Sequence, residues 1–193
     1  MEKKMNVKDL INIGLFTAIY VIVTFAFGMT GYIPIFMVLL PFLISFGAGI
    51  PFMLFLTKVK KFGMVSIMGA LLTLVMFGTG HGWPVLVIGL ITSLLSDLIL
   101  SSGKYRSRAK TVAGFCVFNG WVIGNMLPLY IMRDSYFESL RSGYGDEYAA
   151  ILMSLLSLWM VPVLIVLLIA GGILGAMLGR KVLKKHFERA GIA

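Results

Sequence analysis

The sequence predicts an all-α integral membrane protein with six transmembrane helices, and three observations lead to this prediction. Hydrophobic residues make up 59% of the chain and charged residues only 13%, well outside the balance of a soluble domain. The apolar residues fall into long charge-free intervals at 10–57, 62–96, 111–132 and 148–179. A membrane helix needs about 20 apolar residues, so the first two intervals hold two helices each and the last two hold one each.

The six helices are expected to form a single membrane domain over residues 1–193. A glycine turn separates helices one and two, a lysine loop two and three, a glycine-rich loop three and four, a basic loop four and five, and a polar stretch five and six. Pro41 and Pro51 predict kinks in helix two and Pro162 predicts a bend in helix six, because proline lacks the amide donor that a helix interior uses. The expected bounds are about 10–27, 34–56, 63–77, 85–100, 111–131 and 149–178.

The distribution of positive charge predicts the orientation. With both termini and the loops at 58–61 and 104–110 on one side, that side carries 15 of the 17 Lys and Arg residues. Such a bias marks the cytoplasmic side of a membrane protein. We therefore expect a multi-pass membrane protein with both termini in the cytoplasm. The net charge of +9 thus reflects topology rather than nucleic-acid binding.

The loop T-G-H-G-W-P at 79–84 is the first candidate for a binding site. It contains His81, one of two histidines, between Gly80 and Gly82. The glycines allow turn geometry around the histidine, and the expected topology puts the loop on the outside. The alternative is a plain connection between two helices, in which Trp83 sits in the interfacial aromatic belt.

Helix five carries two amides, Asn119 and Asn125. An unpaired amide in hydrocarbon is costly, so these side chains either bond to neighbouring helices or line a polar cavity. Trp121 and Asn125 are four residues apart and share a face. Gly120 and Gly124 have the small-x-x-x-small spacing that favours close helix packing.

No enzymatic motif accompanies these residues. The chain contains no G-x-x-x-x-G-K-[ST] phosphate loop, no H-E-x-x-H and no G-x-S-x-G, and we expect no enzyme activity, no cofactor and no metal site. Asp97 is the only acid inside an expected helix. We favour a structural role for it near Lys104 or Arg106 over proton coupling. The 13 methionines are expected to be mostly packing filler.

Four stretches identify a resemblance that covers nearly the whole chain. They are V-K-D-L-I-N-I-G-L-F-T-A-I-Y (Val7 to Tyr20), I-P-F-M-L-F-L-T-K-V-K-K-F-G (Ile50 to Gly63), T-G-H-G-W (Thr79 to Trp83) and L-G-R-K-V-L-K-K-H-F (Leu178 to Phe187). They resemble the Trep_Strep (MptS-like) family of substrate-binding S components of energy-coupling factor (ECF) transporters.

The resemblance implies a six-helix S-component bundle that binds a micronutrient from outside. It implies docking on a transmembrane T component that is powered by two cytoplasmic ATPases. In S components an A-x-x-x-A pattern on helix one forms the docking face, and the matching positions here are Gly14 and Ala18. The pocket residues implied are His81, Trp83, Asn125, Tyr130 and Trp159, with Asn119 and Trp121 deeper.

The substrate remains open between two classes. His81 could ligate the iron of a transported haem, or it could hydrogen-bond a vitamin-like heteroaromatic compound stacked on Trp83. We also expect the polar stretch Arg133 to Tyr148 to act as a lid. The competing functional class is a stand-alone secondary carrier or channel, which would use Asp97 as its buried charge. A membrane scaffold without a ligand is the third alternative.

Overall fold

A computed structural model of the chain describes residues 5–59 and 61–187, which form helices joined by short turns. Within these ranges, six helical segments are long and apolar enough to cross a membrane. They are Val7–Tyr32, Pro34–Lys58, Met64–His81, Pro84–Ser102, Arg108–Ile131 and Met160–Lys185. The prediction of an all-α membrane protein with six spans is confirmed.

Several spans are divided into shorter helices. Across the ranges that the structure describes, the α-helices are α1 (Val7–Gly28), α2 (Pro34–Gly47), α3 (Gly49–Lys58), α4 (Met64–Met76), α5 (Pro84–Ser102), α6 (Arg108–Phe118), α7 (Trp121–Met126), α8 (Pro128–Ile131), α9 (Arg133–Tyr144), α10 (Asp146–Leu155) and α11 (Met160–Val182). A 3₁₀ turn at Met29–Tyr32 follows α1, and a π-helical turn at Phe77–His81 follows α4.

Prolines account for two of the breaks. In span two, α2 ends at Gly47, four residues before Pro51, because the proline ring clashes with the carbonyl at that position. In span five, α8 begins at Pro128, where the missing amide donor has no cost in a first helical turn. Pro41 lies inside α2, which continues through it.

The sixth span is shorter than expected at its N-terminal end. The sequence predicts one helix over about 149–178, whereas the structure divides this region at 156–159, between α10 and α11. Leu156 has a non-helical backbone (φ −97°, ψ 59°). Pro162 lies in the first turn of α11, so the bend predicted there is a helix start instead.

The polar stretch after span five is helical. The hairpin α9–α10 turns at Gly145, whose φ of +88° lies in the region open to glycine. Phe137 and Leu140 on α9 are buried together with Leu152 on α10. The guanidinium of Arg133 donates to the carbonyl of Met153 at 3.2 Å and so caps the end of α10. One apolar face on each helix explains why this polar sequence folds onto the bundle.

A stripe of glycines brings α11 into backbone contact with span two. A Cβ on Gly171 would lie 2.4 Å from the carbonyl oxygen of Phe42, and a Cβ on Gly175 would lie 2.5 Å from that of Ser45. Gly179 makes the same close approach to Gly49. The four-residue spacing is the small-x-x-x-small pattern of close helix pairs, and it clamps span six to α2 and α3.

Asp97 organises the end of the bundle that contains the loops at 58–63 and 103–107, which we call the basic end. Its buried carboxylate accepts hydrogen bonds from the backbone N–H of Gly63 (2.9 Å) and of Ser66 (3.0 Å). The hydroxyl of Tyr105 donates to its other oxygen at 2.7 Å. Asp97 therefore caps α4 from α5. The expected structural role holds, but its partners are Ser66, Gly63 and Tyr105 rather than the nearby cations.

Candidate functional site

A cavity of about 260 Å³ lies at the end of the bundle opposite the basic end. It is enclosed by the end of α1 and its 3₁₀ turn, by α2, by the π-helical turn, by α7 and by the hairpin α9–α10. We call it the His81 cavity. It is lined by Thr24, Phe25, Gly28, Met29, Gly31, Tyr32, Met37, Leu40, Ile44, Met76, His81, Asn125, Tyr136, Leu140, Tyr144 and Tyr148.

Local backbone geometry presents His81 to this cavity. The helix that starts at Met64 tightens into the π-helical turn, in which Gly80 has φ +93° and ψ 11°. Gly82 follows with φ +78°. These conformations are open to glycine and rare for other residues. The glycines on both sides of His81, identified in the sequence, thus end span three at the cavity wall.

The imidazole of His81 is held by one of its two nitrogens. Nδ1 lies 3.1 Å from the carbonyl oxygen of Met76 and 3.0 Å from the hydroxyl of Thr79. A carbonyl oxygen can only accept, so Nδ1 carries the proton and Nε2 is an acceptor. None of the residues within 5–59 and 61–187 hydrogen-bonds Nε2. The ring is therefore oriented with a basic nitrogen available to a ligand.

Two further polar groups in the lining have no partner. The Oδ1 of Asn125 and the Oγ1 of Thr24 are buried and make no hydrogen bond with any described residue. By contrast, the hydroxyl of Thr17, two turns before Thr24 on the same face of α1, donates to the carbonyl of Ile13 at 2.8 Å. Buried polar groups almost always have a partner. These two oxygens line the same cavity as His81 and could accept hydrogen bonds from a bound molecule.

Tyrosines form one wall of the cavity. The rings of Tyr144 and Tyr148 stack with centroids 5.0 Å apart, and Tyr32 lies 5.6 Å from Tyr144. Burial, reinforced by Tyr144 and Tyr136, raises the pKa of Tyr148 to about 12. Burial likewise raises the pKa of Tyr136. The hydroxyl of Tyr136 therefore stays protonated at physiological pH and can donate a hydrogen bond, whereas that of Tyr148 already donates to the carbonyl of Gly31.

The lining carries no formal charge. None of the described residues around the cavity is Lys, Arg, Asp or Glu. The guanidinium of Arg133, at the start of α9, is occupied by the carbonyls of Met153 and Leu156 and lies over the ring of Phe137. Within the described ranges, no three His, Cys, Asp or Glu side chains meet as a metal site.

Of the seven pocket residues expected from the sequence, the structure brings His81 and Asn125 together in the cavity. Three others on span five point elsewhere. Asn119 is buried and accepts from the hydroxyl of Tyr20 at 2.5 Å, while its amide donates to a backbone carbonyl. Trp121 packs edge-on against the same tyrosine ring. Tyr130 belongs to the apolar cluster beneath α9 and α10, and its buried hydroxyl has no partner among the described residues.

The two remaining tryptophans lie on the surface. Trp83 is 55% exposed at the start of α5, and Trp159 is 68% exposed at the break before α11. Neither lines the His81 cavity. Both positions suit the interfacial aromatic belt, which was the alternative interpretation of Trp83.

Sequence reasoning missed the tyrosines and methionines of the lining. Tyr136 and Tyr144 lie on α9, whereas Tyr148 lies on α10, beyond the turn at Gly145. Nothing in the sequence of this stretch, which was treated as a loop, indicates that this turn brings the three rings to one wall. Met29 and Met37, expected to be filler, line the cavity as well.

A second surface feature involves the small residues of helix one. Gly14 and Ala18 line an open apolar groove between α1 and α4, together with Leu71, Leu74 and Val75. No atom lies within 4 Å of a Cβ added to Gly14. This part of α1 is therefore accessible to another helix at close range.

Comparison with known proteins identifies the family. No curated protein and no solved structure matches the chain. A family model described as "Hypothetical bacterial integral membrane protein (Trep_Strep)" matches residues 7–189. This match includes all six spans and the His81 cavity. The chain therefore belongs to the Trep_Strep family of bacterial integral membrane proteins.

Proposed function

We propose that the chain is the substrate-binding S component of an ECF-type importer in a bacterial plasma membrane. The observation that carries this proposal is the His81 cavity, with its oriented imidazole and two buried oxygens that lack partners. The cavity lies at the end remote from the basic loops. The positive-inside rule favours an outward-facing cavity, which suits capture of a micronutrient from outside.

The groove on α1 supports a role as one subunit of a complex. Its exposed small residues, Gly14 and Ala18, occupy the positions that match the docking pattern of S components. A transmembrane T component would dock there, and two cytoplasmic ATPases would supply the energy. The sequence has no phosphate-binding loop of its own, which agrees with this division of labour.

Transport of a polar ligand requires passage across about 30 Å of hydrocarbon. The spans are closely packed between the cavity and the basic end, where Phe52, Phe115 and Trp121 are buried in one cluster. A rigid bundle of this kind would deliver its ligand by rotating as a whole within the membrane. ATP hydrolysis by the partner subunits would drive that rotation.

Assembly of the complex tests the proposal. The chain is co-expressed with T component and ATPases of the same bacterium and purified through a tag on the ATPase. The Ala18→Trp variant should reduce co-purification at least tenfold, because the indole fills the groove. Val166→Trp, on a lipid-exposed position of α11, is the matched control and should leave assembly unchanged. Equal recovery of the Ala18→Trp variant and the wild type would refute the docking assignment.

The alternative, a stand-alone carrier, would use Asp97 as a coupling site. Both carboxylate oxygens are occupied by hydrogen bonds within the basic end, and no described residue lining the His81 cavity carries a charge. These contacts favour the importer subunit. A carrier would transport substrate in vesicles that lack ATPases, whereas the proposed subunit would not.

A further inference from the structure

We infer that the His81 cavity takes an uncharged heteroaromatic molecule of one or two fused rings that donates hydrogen bonds into the cavity. The inference rests on the proposed function and names the ligand class of that same site. It follows from four properties of the lining: its neutrality, its unpaired acceptors, its aromatic wall and its size.

Neutrality excludes a charged ligand core. An ion moved from water into a cavity without a counter-charge loses hydration that nothing replaces, and the cost amounts to several kcal/mol. The guanidinium of Arg133, at the start of α9, is occupied by two backbone carbonyls. A carboxylate, phosphate or ammonium group on the ligand would therefore have no counter-charge among the described lining residues.

The unpaired polar atoms specify donors on the ligand. Nε2 of His81 and Oδ1 of Asn125 both accept, and Oγ1 of Thr24 can accept or donate. A ring N–H, an exocyclic amino group or a carboxamide satisfies such acceptors without carrying charge. An apolar ligand would leave these groups unpaired, at a cost of about 1–3 kcal/mol for each buried group.

The remaining lining favours a flat aromatic body. Tyr144 and Tyr148 present stacked rings, and Met29, Met37 and Met76 place thioethers around the same space. Sulfur and aromatic side chains both make favourable contacts with π-systems.

The size of the cavity limits the ligand. Its volume of about 260 Å³ lies below the range of about 300–1,000 Å³ that is usual for drug-sized ligands. A tetrapyrrole with two carboxylates conflicts with both the size and the neutrality of the lining. One or two fused rings agree with both.

A matched pair of probes tests the charge step directly. Benzimidazole-5-carboxamide and benzimidazole-5-carboxylate have the same bicyclic shape and differ in one charge. Binding to the full chain in mild detergent is measured by ligand-induced thermal shift at neutral pH, and hemin is tested in parallel. We expect the carboxamide to bind at least tenfold more tightly than the carboxylate. Equal or tighter binding of the carboxylate or hemin, or no shift with the carboxamide, would overturn the inference.

A variant of Thr24 tests the donor step. Thr24→Val keeps the shape of the side chain and removes an oxygen that has no partner in the unliganded protein. It should weaken carboxamide binding about threefold to tenfold, the loss of one hydrogen bond, without lowering the unliganded melting temperature. Thr73→Val, at a buried threonine of α4 outside the cavity, is the control and should bind as the wild type does. Unchanged binding by Thr24→Val would contradict the assignment of Oγ1 to the ligand.

Assembly with T component and ATPases is scored on the same preparations. If the complex forms but the carboxamide does not bind, the ligand class is wrong and the importer role stands. If the carboxamide binds but no complex forms, the ligand class stands and the importer role fails.

Discussion

The hydroxyl of Tyr148 in α10 donates a 2.6 Å hydrogen bond to the carbonyl of Gly31, in the 3₁₀ turn that ends span one. The two residues are 117 positions apart, so the bond joins distant parts of the sequence at the edge of the His81 cavity. Tyr144 stacks on Tyr148 and contacts Tyr32. Through these contacts the hairpin α9–α10 is attached to the end of span one and forms one side of the cavity.

Removing this bond should loosen the hairpin. We expect Tyr148→Phe to increase the rate of ligand release about fivefold, since one hydrogen bond contributes about 1 kcal/mol. Stopped-flow release of a bound ligand measures the rate. Ser142→Ala is the control, because it removes a hydroxyl from an exposed position of α9 outside the cavity lining, and it should release ligand as the wild type does. Identical rates for both variants would show that the bond does not retain the ligand.

Alkaline pH should weaken the attachment of the hairpin through the Tyr148–Gly31 hydrogen bond. The pKa of Tyr148 is about 12 in the folded chain, against about 10 for an unperturbed tyrosine. Below pH 10 the residue is protonated in both the folded and unfolded states, and its contribution to stability is complete. Between about 10 and 12 the unfolded state loses its proton first, so this contribution falls as the pH rises. Protease sensitivity of the hairpin should increase over this window in the wild type and less steeply in Tyr148→Phe.

His81 and Trp159 were both expected in the pocket, and their positions now predict different outcomes. His81→Ala removes an acceptor from the cavity and should weaken ligand binding about tenfold. Trp159→Ala changes an exposed side chain outside the lining and should not alter binding. Equilibrium binding to both purified variants checks this. A larger loss with Trp159→Ala would place the binding site elsewhere.

Asp97 should affect stability and not ligand binding. Asp97→Asn removes the charge that caps α4 and should destabilise the fold by about 2 kcal/mol, the size of a hydrogen bond to a charged group. Thermal unfolding measures the loss, and Asp134→Asn, at an exposed acid of α9, is the control. Loss of transport with unchanged stability would support the carrier alternative instead.

The glycine stripe predicts a sharp contrast between two Gly→Ala substitutions. Gly175→Ala puts a methyl group 2.5 Å from a backbone oxygen of α2, and backbone cannot move aside cheaply. We expect a loss of about 2 kcal/mol or more. Gly14→Ala meets no atom and should leave the melting temperature unchanged. Similar melting temperatures for both variants would mean that α11 and α2 are not clamped as closely as the structure indicates.

The number of spans, their order and the helical class were determined by the sequence alone. These features depend on local composition, because any charge-free stretch of about 20 apolar residues satisfies the bilayer wherever its neighbours lie. The importance of His81 could also be predicted, since the flanking Gly80 and Gly82 are a local signal. So could the packing role of Gly120 and Gly124, which lie against α5.

Only the tertiary structure decided which side chains share the cavity. Asn119 and Asn125 have the same chemistry and lie on the same span, yet one bonds to Tyr20 in the core and the other faces the cavity with a free oxygen. Thr24 and Tyr148, which come from distant parts of the chain, line the cavity together with Asn125. Apolar pattern shows that a helix is in the membrane but not how it is rotated there, because lipid and protein interior are equally apolar. That rotation is set by contacts between helices, such as the glycine stripe of α11 on α2, and so the cavity exists only in the folded bundle.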